Sequence, residues 1–258
     1  VRTGNAMIAR SVDLTELVRE HWPWRGLGHG PLPALLLALT VVTGLVDAVS
    51  YVALGHVFVA NMTGNVVFLG FALAGAPGLS ASASLVALAA FLCGALAGGR
   101  IAVRRGRHRG AHLAATTSVS GSLLVLATIL AAAEGDPRSH LARYLLIAML
   151  AVAMGAQNAM ARRLAVTDLT TTVLTLTLTG VAADSRLAGG RGGRPSRRLL
   201  AVSAMLAGAI IGALLVLRVD VVLPVALAAL VTETVAITAS RIATRPDAEW
   251  ASEASPAR

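Results

Sequence analysis

The stretch Pro33-Ala-Leu-Leu-Leu-Ala-Leu-Thr-Val-Val-Thr-Gly-Leu-Val-Asp47-Ala-Val-Ser-Tyr-Val-Ala-Leu-Gly55 decides the fold. It is apolar for long enough to cross a bilayer, yet it carries a carboxylate. An aspartate at the centre of a membrane helix costs about 2.5 to 3.5 kcal/mol on insertion scales, so Asp47 is expected to face protein or a wet cavity rather than lipid. Asn61-Met62-Thr63-Gly64-Asn65 follows within a few residues and places polar side chains and a flexible glycine inside a second apolar segment. Together the two stretches read as a lined site.

Composition places the whole chain in the same class. Of 258 residues 56% are hydrophobic, mean hydropathy is +0.74, and several runs are long enough to span a membrane, which marks a polytopic membrane protein. Its 22 basic residues are all arginine, and with abundant Ala, Gly, Leu and Val this suggests a GC-rich bacterial genome. The net charge of +9 sits mainly in short segments between apolar runs. That distribution follows the positive-inside rule and gives no reason to expect a nucleic-acid partner. The single cysteine, Cys93, lies in an apolar run and excludes an internal disulfide or a cysteine-rich metal site. No cofactor or metal is expected.

Residues 1–32 are expected to be a cytoplasmic or interfacial segment. Asp13, Glu16 and Glu20 interrupt any secretory signal there. Ile8, Val12, Leu14, Leu17 and Val18 have rough helical spacing, Asp13 with Glu16 resembles a capping box, and Trp22 and Trp24 suit a membrane interface. The segment reads either as a surface helix or as a partly ordered tail. Residues 241–258 read as a loose tail.

Six spans are expected, at about 33–54, 81–103, 113–133, 141–161, 199–217 and 219–240. Two further segments are polar for lipid-facing helices: 57–75, with the Asn61–Asn65 stretch, and 167–183, with threonines at 167, 170, 171, 172, 175, 177 and 179. If both cross, the chain has eight full spans; if one does, seven. If both dip in and return, the basic loops 100–109 and 186–198 fall on the cytoplasmic side, as the charge rule prefers. The fold class is therefore an all-α polytopic membrane protein with about six transmembrane helices and two re-entrant or broken segments. Both termini are expected in the cytoplasm. Residues 33–240 form one membrane domain whose halves, about 33–133 and 141–240, run in opposite directions as an inverted repeat. Sequence supports the pairing: Gly44 precedes Asp47-Ala48 and Gly155 precedes Asn158-Ala159. Ala90, Gly94 and Gly98 in one half answer Ala204, Gly208 and Gly212 in the other.

Gly44-Leu-Val-Asp47-Ala-Val-Ser-Tyr51 with Val57-Phe58-Val59-Ala60-Asn61-Met62-Thr63-Gly64-Asn65 resembles the signature of the YoaK-like family of bacterial membrane proteins. So does Met154-Gly155-Ala156-Gln157-Asn158-Ala159 with Asp168-Leu169-Thr170-Thr171-Thr172-Val173-Leu174-Thr175. The resemblance covers about residues 33–240 and implies an inner-membrane protein, a domain of unknown function without an assigned substrate. Leu176 stands where the family often has a glycine.

The polar residues suggest transport of a small polar solute. Asp47 could bind a coupling ion or carry a proton. Asn61, Thr63, Gly64 and Asn65, with Thr172 and Thr175, offer amide and hydroxyl groups or backbone for a polar ligand, and half-helix N-termini would favour its anionic parts. Asn158 is the repeat partner of Asp47, and Glu233 is a second deep carboxylate. Against these stand structural readings: an acid hydrogen-bonded within the bundle, threonines bonded back to the preceding turn, and Gln157 with Asn158 joining helices. His56 could sense pH or simply sit at the interface. The run Arg104, Arg105, Arg107, His108, Arg109 could bind anionic headgroups, although its topogenic role already explains it. Motifs for zinc hydrolysis, nucleotide phosphates or a serine elbow are absent, so an enzyme is not expected. A channel and a non-transporting scaffold or signalling protein are the alternatives to a secondary transporter. The glycine-lined faces would serve packing within the chain or a homo-oligomer.

Overall fold

A computed structural model of the chain describes residues 29–105, 108–134, 140–166, 174–189, 195–244 and 249–251. The expected surface helix near the N-terminus, most of the tail, and Thr170, Thr171 and Thr172 lie outside the described residues.

Eight α-helices are described: α1 (Leu32–Ala53), α2 (Met62–Leu73), α3 (Ala81–Arg105), α4 (Arg109–Glu134), α5 (His140–Leu164), α6 (Leu174–Ala183), α7 (Pro195–Arg218) and α8 (Val222–Ala243). Six of them, all but α2 and α6, are long and apolar enough to span a membrane. The chain is an all-α polytopic membrane protein. Several helices run past the apolar stretches into arginine-bearing turns, as at Arg104–Arg105 and Arg162–Arg163. A helix can continue there because arginine stems lie along apolar surface while the guanidinium reaches water.

α1 and α5 are the most enclosed helices. α1 packs along α7, α5 along α3, and α4 pairs with α8; the seams α4–α5 and α1–α8 join these pairs, while α2 rests on α3 and α6 on α7. In lipid the apolar effect does not drive helices together, so close backbone approach matters more. Glycine supplies it here. A methyl on Gly44 would collide with the backbone of Met205 and Ala209, one on Gly208 with Val41, and one on Gly212 would lie 2.9 Å from the Leu45 carbonyl oxygen. The α3–α5 seam has matching contacts: Gly155 against Phe91 and Ala95, Gly94 against Val152, and Gly98 with 2.7 Å to the Ala156 carbonyl oxygen.

The contacts also fix directions. Along α1 and α7 the paired residue numbers rise together, as they do along α3 and α5, so each pair is parallel. α4 opposes α5, since Arg109 Nη2 donates to the Leu164 carbonyl and Ser120 Oγ to that of Ala153. It opposes α8 as well, with Gly110 beside Ala243 and Gly121 beside Glu233. The short connection 219–221 makes α7 and α8 antiparallel. It follows that α1, α4 and α7 point one way and α3, α5 and α8 the other. Segment 54–80 therefore leaves and rejoins the bundle at the same end, and so does 165–194. With the ends of each connection on one side of the bundle, the alternative of seven or eight full spans is disfavoured. Arg104, Arg105, Arg109, Arg162, Arg163, Arg197, Arg198 and Arg241 gather at one end of the bundle, whereas Glu134, Arg143, Arg218 and Asp220 lie at the other.

Candidate functional site

α1 ends in a sharp reversal at Gly55 (φ 108°) and His56 (φ 57°), the latter an uncommon left-handed conformation for a residue with a Cβ. The turn sends the chain back against the bundle, burying Val57, Val59 and Ala60 before α2 begins. Asp47 receives it. This carboxylate, only 4% exposed, lies about 9 Å inside the end of α1 at 1.5 Å per residue. Its Oδ1 accepts hydrogen bonds from the backbone N–H groups of Val59 and Ala60, both at 2.9 Å, and its Oδ2 accepts from the Asn61 side-chain amide. Every hydrogen bond to the Asp47 carboxylate is donated by an N–H, as an ionised acid accepts, and no cationic side chain pairs with it among the described residues. The anion sits beside the N-terminus of α2, where the helix dipole favours negative charge. Its backbone donors, Val59 and Ala60, precede the first turn of α2, which begins at Met62.

The rest of the Asn61–Asn65 stretch holds the same turn. Asn65 is fully buried; its Oδ1 accepts from the Phe58 N–H at 2.8 Å while its Nδ2 donates to the Phe58 carbonyl at 2.5 Å. Gly64 leaves room for the Phe58 ring, whose Cδ2 would be 2.6 Å from a methyl there. Phe58 in turn stacks between Tyr51 (5.3 Å between centroids) and Phe68 (5.6 Å), and Tyr51 meets His56 edge-on. Thr63 is exposed on α2.

A cavity of about 240 Å³ opens between α1 and α7 at this point, lined by Asp47, Asn61, Tyr51, Phe58, Gly44 and Met205 among others. No basic residue lines it, so the only formal charge it meets is that of Asp47. Of the expected site residues, Asp47 and Asn61 line this cavity, and Gly64 and Asn65 support it from behind. The others are elsewhere. Asn158, on α5, donates to the Met154 carbonyl one turn back; Thr175 is exposed on α6; Thr172 is outside the described residues. Glu233 is half-buried midway along α8, against Gly121 of α4.

A second set of buried polar groups escaped the sequence reading except for Gln157. Gln157 Nε2 donates to the Leu39 carbonyl and to Thr43 Oγ1, both at 3.2 Å, and so ties α5 to α1. Thr43, Thr116 and Ser120 are fully buried with it. Gln157 Oε1 and Thr116 Oγ1 have no partner among the described residues. The only sequence signal was their placement near the centre of apolar runs.

Residues 35–238 match the family model described as "Protein of unknown function (DUF1275)". The chain belongs to this family. It is similar to the UPF0700 transmembrane protein YoaK of Bacillus subtilis (strain 168), with 33% identity over 150 residues. That match spans 58% of this chain and 65% of the relative, a little under two thirds of the relative's length. No solved structure matches. As a member of the DUF1275 family, the chain carries its Asp47 turn and its Gln157 crossing inside the matched region.

Proposed function

We propose that this DUF1275 protein is a secondary transporter of a small polar solute, with Asp47 as the cation-coupling residue. The observation that carries the reading is the re-entrant turn pinned to Asp47, with a cavity opening at the same carboxylate. A segment held by one ionisable side chain can change its position when that side chain changes its partner, which is what coupling requires. The opposite directions of α1 and α5, α3 and α7, and α4 and α8, with matched glycine contacts, support an inverted repeat like that of many transporters. On this reading the arginine-rich end faces the cytoplasm of a bacterial inner membrane.

The test is flux in proteoliposomes under an imposed proton or sodium gradient, using panels of amino acids, amines, sugars and small carboxylates. Gradient-dependent movement of one class, lost at least tenfold in Asp47→Asn, is expected. Normal rate and normal coupling in that variant would remove Asp47 from the mechanism. A non-transporting scaffold is favoured by one observation, that the Asp47 carboxylate already accepts from three N–H groups of the turn it anchors. It predicts no gradient-dependent flux of any solute class by the unaltered protein.

A further inference from the structure

At the arginine-rich end, α3 closes on Arg104 and Arg105, and α4 opens just after His108. Two cavities, of about 270 and 380 Å³, meet there and share Arg105, Ala115 and Ser118. Arg104 borders the larger and His108 the smaller. All three basic side chains are exposed, and among the described residues no carboxylate pairs with either arginine. His108 Nδ1 accepts the Ala111 N–H at 3.0 Å. Its neutral ring therefore carries the proton on Nε2, which remains a donor. The larger cavity also takes in Ile101, one turn back along α3 from Arg104, and the exposed Val119 of α4, so apolar surface adjoins the charges.

We propose that this groove binds an anionic phospholipid, its headgroup phosphate between Arg104 and Arg105 with His108 Nε2–H as a further donor, and an acyl chain over Ile101 and Val119. Guanidinium groups bind phosphate by paired, charge-assisted hydrogen bonds, and basic pockets between membrane helices suit anionic headgroups. The groove selects against a zwitterionic lipid because no carboxylate lines it to hold the ammonium of such a headgroup. Helix ends place the arginines at headgroup depth, with the apolar wall below them. A purely topogenic role for the arginines requires the charges but not a groove that continues into apolar surface beneath them. The site is separate from the Asp47 cavity, and its occupancy does not depend on transport.

The test uses the full chain, purified and delipidated, with native mass spectrometry and thermal unfolding after addition of phosphatidylglycerol, phosphatidylcholine or inorganic phosphate. Phosphatidylglycerol is expected to be retained and to raise the unfolding temperature, and the other two are not. Arg104→Gln with Arg105→Gln should lower retention about tenfold. Val119→Trp, which fills the apolar wall and leaves every charge in place, should lower it as well, and it serves where the arginine variant fails to fold. Equal retention of phosphatidylcholine would reduce the groove to general lipid contact, and equal stabilisation by phosphate would make it a free-anion site. Unchanged retention of phosphatidylglycerol in both variants would place the lipid elsewhere. Each of these three results overturns the proposal.

Discussion

Asp47 and Asn65 divide the work at the re-entrant turn, one holding Val59 and Ala60 and the other Phe58. Asn65→Ala leaves the Phe58 N–H and carbonyl without that partner. Since each buried backbone group left unpaired costs about 1 to 3 kcal/mol, a loss of about 2 to 6 kcal/mol is expected for the two, read as a lower unfolding temperature in detergent. Asp47→Asn keeps the shape and the acceptor for Val59 and Ala60 but sets its amide nitrogen against the Asn61 donor, so its stability should fall too, by about 1 to 3 kcal/mol. A stability unchanged in both would mean that water replaces these bonds and the turn is not held by them. His29, at the arginine-rich end, makes a separate prediction. Burial, then the nearby Arg109 and Arg197 charges, lower its pKa below the usual 6.5. The unfolded chain therefore binds this proton more readily, and the contribution of His29 to stability is present above about pH 6.5 and is lost as pH falls through the lowered value. His29→Gln should flatten the pH dependence of unfolding as pH falls below about 6.5, the usual histidine value. An identical slope in the variant would assign it to other groups.

Among the elements, the six spans were legible because lipid demands an unbroken apolar run, and the structure begins and ends them within a few residues of those runs. The charge of the flanking loops favoured two non-crossing polar segments over seven or eight spans, and the directions of the helices on either side of each agree with that preference. What the side chains do at the site was less legible. Asn61 and Asn65 carry the same amide, yet one reaches a carboxylate and lines a cavity while the other is used up on the backbone of Phe58, and the difference depends on the left-handed turn at His56. Gln157 was readable as a residue joining helices; its partner Thr43 was not, because that pairing crosses 114 residues of chain. Glycine spacing carried more. Gly44→Leu should displace α7 from α1 and cost about 1 to 3 kcal/mol or more, as overpacked interiors do. Gly99→Leu, where no atom lies within 4 Å of the added methyl, is the control on the same kind of helix. If the two variants unfold alike, the close approach of α1 and α7 does not contribute to stability.

Across the whole molecule, helix directions and charge meet in one statement about the membrane. The parallel pairs α1–α7 and α3–α5 bring both polar segments back to the ends they left, so Ser80 and His108 come to lie at opposite ends of α3. The end with His108 holds most of the described arginines, one of them, Arg198, paired with Asp184, whereas the end with Ser80 holds Arg143 and Arg218 with Glu134 and Asp220. In a bacterial inner membrane the first of these is expected to be cytoplasmic. Cys93 is the single native thiol and is exposed, so it must be removed before any labelling. In a Cys93→Ser background, a membrane-impermeant thiol reagent applied to intact cells should modify Ser80→Cys and leave His108→Cys unmodified until the membrane is opened. The reverse pattern would keep the six crossings but invert the protein, placing the Asp47 cavity nearer the cytoplasm and the lipid groove in the outer leaflet. Modification of both sites from outside would mean that segment 81–105 does not cross, and the parallel packing of α3 on α5 would then be incompatible with the native membrane protein.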